Sequence, residues 1–431
     1  MLAHSFSAVF RIAMLAALAA PVGCNDAKLS LEERVELASM LPGIRDSKHS
    51  ELRAELRLIE ESLTLPEQLN SEPVPAHKNA AVALAKLFDD QERLDQINAR
   101  AAALLGTVGM GDQELVATDA RGLADRWVQP IRQVTDLSKM EACNFGLRYP
   151  RGYFNDVRFL NQSAAACRLL LIDAVSQSET HPEAAIEKFA LAWRWTDWLA
   201  AERHLESRLK AAELRGEALR IANLLANKPE TPRQVLLRLQ EQLAQSLAKD
   251  PSISEILQRE RALALVTYEA IRLGLVDLLF TSDEREELRT AGVLTTLQQA
   301  TPDQIDADEA AYLAYVRELL VTAEEPFHKR RTKLAESDRL LAATADGDSY
   351  PWFANRLFAE NLTLAQAEIA RDQSRLEAWV LTLAAASGST APAFKVNPLN
   401  GKLYTFLPAG REISVDLGDQ RTANPRVALP R

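Results

Sequence analysis

The sequence predicts a mainly α protein: an irregular multi-helix bundle or stacked helical hairpins, closed by a small C-terminal antiparallel β-hairpin or meander. Three observations point there. Ala, Leu, Glu, Arg and Gln recur throughout the 431 residues while aromatics make up only 6%, a bias toward helix formers and away from large sheets. Helix-start signals recur along the chain. After Ser387 the character changes, and short alternating runs bounded by Gly and Pro replace helical periodicity. With 47% apolar and 26% charged residues the composition is that of a globular chain.

The first 23 residues read as a signal peptide. Arg11 supplies a positive start, and Ile12 to Ala20 is an apolar run, too short for a span needing roughly 20 residues. Pro21-Val22-Gly23-Cys24 resembles a lipobox, which makes Cys24 the expected lipid-attachment residue, possible cleavage after Ala19 being the alternative. Removing this leader takes away one charged residue, Arg11, from a chain of net charge −10. No later stretch is apolar for long enough to span a membrane.

Helices are expected near 30–40, 50–63, 77–105, 113–138, 155–178, 182–204, 206–227, 232–248, 252–280, 283–299, 302–322, 328–344 and 351–386. Ser30-Leu31-Glu32-Glu33 is a capping box, and Thr301-Pro302-Asp303-Gln304 adds Pro at the first helical position, where its missing N–H costs nothing. Leu236, Leu239, Leu243 and Leu247 form one apolar stripe. Residues 64–76, with three prolines, read as a hinge between N-terminal helices (24–76) and the helical body (77–386). Residues 387–431 read as linker, β module and frayed tail, with strands at 394–396, 403–407 and 412–417 and a turn at Asn400-Gly401. The sheet reads as a cap on the last helix, with a recognition edge as the rival.

Function is approached by elimination. Glu325-Pro326-Phe327-His328 is a single Glu-x-x-His, where a carboxylate-bridged metal site needs two; it reads as a helix start. Gly106 to Gly111 follows a helical stretch, so it reads as a helix end rather than a phosphate cradle. Trp193, Trp195 and Trp198 point in different directions on one helix, which suits packing on two sides, with Arg194 and Asp197 paired beside them. His328 to Lys333 reads as a solvated basic face. Cys143 and Cys167 are permitted a disulfide by an oxidising compartment, while Cys167 in its Ala-rich run equally reads as a small buried residue; both readings stay open. No metal, cofactor or catalytic motif is indicated, and the negative charge gives no field for nucleic acid.

Asn79-Ala80-Ala81, Cys143-Asn144-Phe145-Gly146-Leu147, the helical pattern of 157–225 and the turn Asn397-Pro398-Leu399-Asn400-Gly401-Lys402 together resemble a group of uncharacterised exported helical proteins of planctomycete-type bacteria. The resemblance implies export and a helical fold with a β tail, and no activity. The expectation is therefore a non-catalytic protein-interaction or scaffold module of the bacterial envelope, periplasmic and membrane-anchored through Cys24, with an envelope protein as partner. An envelope hydrolase drawing carboxylates from distant helices and a small-molecule binder are the alternatives.

Overall fold

A computed structural model describes residues 49–429 apart from 63, 70–71, 111, 228–230, 281, 345–350, 360–361, 391, 410–411 and 420. The signal peptide, Cys24 and the expected 30–40 helix lie outside the described residues. The mainly α architecture with a small C-terminal sheet is the one observed.

The described helices are α1 (Ser50–Glu61), α2 (Ala80–Leu87), α3 (Gln91–Thr107), α4 (Gln113–Arg126), α5 (Val128–Leu137), α6 (Arg158–Gln177) and α7 (Pro182–Ala201). They continue with α8 (Leu205–Ala226), α9 (Arg233–Lys249), α10 (Ile253–Arg272), α11 (Ser282–Thr290), α12 (Val293–Gln298), α13 (Pro302–Val321), α14 (Phe327–Thr344) and α15 (Leu362–Ser387). Several expected helices are two. The 77–105 helix breaks where Asp90 caps α3 by accepting from the Arg93 N–H at 3.1 Å. The 113–138 helix breaks at Trp127, because Pro130 has no N–H for the Arg126 carbonyl four residues back. The 252–280 helix stops at Arg272: Gly274 donates to Ile271 and Leu275 to Ala270, two bonds that close its last turn.

α6 is the centre of one core. Residues on every side of it are buried, under α3, α4, α5, α7 and α8. The predicted Leu stripe of α9 is inside, with Leu236, Leu239 and Leu243 buried. A second core gathers α10, α13 and α14 with α1. The 64–76 segment, expected to be a hinge, is fastened to α10 at several points: Arg259 donates to the Leu69 carbonyl at 2.6 Å and Arg261 to the Thr64 hydroxyl at 2.6 Å.

α15 belongs to both cores. Leu362, Ile369 and Ala370 pack in the second, while Leu376, Val380 and Leu383 pack in the first. Its Ala378 and Leu381 also carry the sheet, against Val415 and Leu417. The sheet is an antiparallel meander of β1 (Thr405–Ala409), β2 (Glu412–Asp416) and β3 (Arg426–Ala428), in that order. The 394–396 segment makes a single bridge, Val396 to Leu403, rather than a strand. β3 replaces part of the expected frayed tail, because Asn227 accepts from the Ala428 N–H at 2.7 Å and donates to the Arg426 carbonyl at 2.8 Å. Gly401 makes the predicted turn at φ 76, and any β-carbon there would meet the His328 ring at 2.7 Å.

Candidate functional site: a charged cleft between α7 and α9

The tryptophan cluster of α7 packs on two sides. Trp193 donates to the Ser246 hydroxyl at 2.7 Å and Trp195 to Ser138 at 2.8 Å; both indoles are fully buried, each with its N–H satisfied. Trp198 is half-buried and meets the Trp195 ring edge-on at 4.9 Å. The expected Arg194–Asp197 pair is absent. Arg194 instead lies 4.7 Å from the Trp198 ring centre and donates to the Met140 carbonyl at 2.6 Å. Asp197 turns to Arg215 at 3.0 Å, because that buried guanidinium requires counter-charge.

Arg215 leads into a network of three arginines and three aspartates. Its donors reach both Asp250 oxygens at 2.7 and 2.8 Å and Asp372 at 3.2 Å. Arg208 bonds Asp372 at 2.8 Å and Asp250 at 2.9 Å, and Arg375 bonds Asp372 at 3.1 Å. Burial alone would push the Asp372 carboxyl up, but Arg208, Arg215 and Arg375 hold it well below the ordinary carboxylate range. Burial pushes the Asp197 carboxyl up, partly opposed by Arg215.

Above this network lies an open cleft of about 630 Å³, walled by Arg194 and Trp198 of α7 and by Arg238, Gln242, Gln245 and Lys249 of α9. Asp197, Ser246 and Asp250 also line it. Asp197 and Asp250 are engaged by buried guanidinium groups, while Glu241, also in the lining, accepts from Gln245 at 3.2 Å, so the cleft offers charge of both signs and an aromatic surface.

A second cluster surrounds His204. Glu260 accepts from the Leu205 N–H at 2.8 Å and the Tyr153 hydroxyl at 3.0 Å, and lies 3.9 Å from His204 Nε2. Burial raises the carboxyls of Glu202 and Glu206. Arg203 between them has φ 56, a strained backbone for a side-chain-bearing residue. Gly152 closes the opposite wall, where a β-carbon would meet the Thr267 hydroxyl at 2.7 Å. Gly152, Tyr153, His204 and Glu206 line a cavity of about 20 Å³, room for about one water molecule.

The remaining sequence candidates fall elsewhere. Cys167 is fully buried, Cys143 is half-buried, and both are free thiols whose ionisation burial makes harder. His328 donates its backbone N–H to the Pro398 carbonyl, joining α14 to the C-terminal turn. Within the basic run, Lys329, Arg331 and Lys333 are exposed as expected, but Arg330 is buried and donates to Gln366. Desolvation lowers its pKa to about 10. Among the described residues no group of three or more His, Cys, Asp or Glu is placed to hold a metal ion, and no helix is long and apolar enough to cross a membrane.

Sequence reading found Trp198, Arg194 and Asp197 but missed Arg208, Arg215, Asp250 and Asp372. A signal was present: Arg208 and Arg215 stand seven residues apart, two helical turns, on the Ala- and Leu-rich α8. Comparisons with family models, curated proteins and solved structures gave no match.

Proposed function

We propose that the chain is a non-catalytic protein-interaction module of the bacterial envelope, anchored through Cys24, with the α7–α9 cleft as its recognition surface. The observation that carries this reading is the charge state of the cleft. Asp197 and Asp250 are taken up by the buried arginines; Lys249 is exposed at the cleft, Arg238 is exposed and paired with Glu183 at 3.1 Å, and Arg194 lies over Trp198, with Glu241 also in the lining. An acidic segment of a partner, carrying an apolar side chain for the Trp198 face, fits that pattern. The signal-peptide reading of residues 1–23 supports the location.

Co-purification from the native envelope tests the proposal. The wild-type chain should retain a partner that the double variant Arg238→Glu, Lys249→Glu loses. Both residues are exposed, so the variant should melt with the wild type. Retention of the same partner by the folded variant would refute the cleft as the recognition surface.

A further inference from the structure

We infer that the C-terminal sheet is a second, acyl-independent membrane contact, made with a bilayer surface bearing anionic headgroups. Its outer strand, β1, does not bury its apolar side chains. Leu403 just before it is 69% exposed, Phe406 46%, Leu407 43%, and Val396 on the bridged segment 40%. Val396 sits opposite Leu403, and Leu403 and Leu407 share a face by strand alternation, while Phe406 projects from the other. Tyr404, on the Phe406 side, is fastened to the body by donating to Glu377 at 2.8 Å. The strand therefore stands edge-out, with apolar groups on both flanks.

Charge selects the occupant. Residues 388–411 contain Lys395, Lys402 and Arg411 and no acidic residue, in a chain of net charge −10. Lys395 and Lys402 are both exposed. Glu412 and Asp416 of the neighbouring strand are exposed as well, yet residues 388–431 still carry six basic residues against three acidic ones. Apolar side chains flanked by cations are what an anionic bilayer interface takes up. A partner strand fits less well, since Pro408 in β1 lacks the N–H that strand addition uses.

Vesicle sedimentation with the full chain carrying Cys24→Ser, which has no acylation site at that position, tests this inference. Wild-type sheet and Leu403→Asp, Phe406→Asp chains share the same leader, so any difference arises at the sheet. The wild-type sheet should bind vesicles containing phosphatidylglycerol about tenfold better than the variant, and binding should weaken at ~1 M salt. Equal binding by the folded variant, equal binding to pure phosphatidylcholine, or no binding would overturn the inference. So would a wild-type dimer that the variant abolishes without change in vesicle binding. The cleft reading is separable: Arg238→Glu, Lys249→Glu should leave vesicle binding intact, and Leu403→Asp, Phe406→Asp should leave partner capture intact.

Discussion

Asp372 is fully buried against three guanidinium groups, and its replacement exposes what the network does. Asp372→Asn leaves Arg208, Arg215 and Arg375 facing only Asp197 and Asp250, and should destabilise the fold by about 3–5 kcal/mol in urea unfolding. Because folding lowers the Asp372 pKa, its stabilisation is present above the ordinary value of 3.8 and lost as pH falls through the folded one. Glu309 behaves in the opposite sense. Burial, only partly opposed by Arg272, raises it from 4.5 to about 7. The folded chain then holds this proton more tightly than the unfolded chain, so stability is full below pH 4.5 and declines as pH rises through about 7. Glu309→Gln should flatten that decline, worth up to about 3 kcal/mol; an unchanged slope in melts across this range would assign it to other groups. The sequence made the charges visible but not their partners. Arg215 meets Asp250 and Asp372 across 35 and 157 residues, a separation that local spacing does not encode.

At the scale of elements, helix identity was legible and helix continuity was less so. Thr301 caps α13 with the box its sequence spells, and the Leu stripe of α9 faces inward, because both signals are local. The breaks at Trp127 and Arg272 were readable from Pro130 and Gly274, yet apolar periodicity runs across both and masked them. The sheet was half legible: Asn400-Gly401 and the alternation of β2 marked it, whereas β3 depends on Asn227, about 200 residues away. Deleting residues 388–431 should uncover Ala378 and Leu381 of α15 and lower the melting temperature of the helical body. Unchanged melting would show that the sheet is independent of α15. Asn227→Ala should release β3 alone, seen as faster amide exchange at Ala428 with little change at β1.

Across the whole molecule, α15 joins the two cores, as does α8 through Leu205, and Asp372 on α15 is tied to Arg208 and Arg215 of α8, which also hold Asp250 beyond α9. The described body should therefore unfold in one calorimetric transition, and Leu376→Ala on α15 should lower that transition without splitting it. The same rigidity presents the α7–α9 cleft as a fixed surface, which recognition without chemistry requires. Site-specific photo-cross-linking in the native envelope tests this most directly, with the reactive group placed at exposed Gln245 in the cleft and, as a control, at exposed Gln96 on α3. One discrete protein adduct is expected from position 245 and none from position 96. No adduct from the cleft, or the same adducts from both positions, would contradict it.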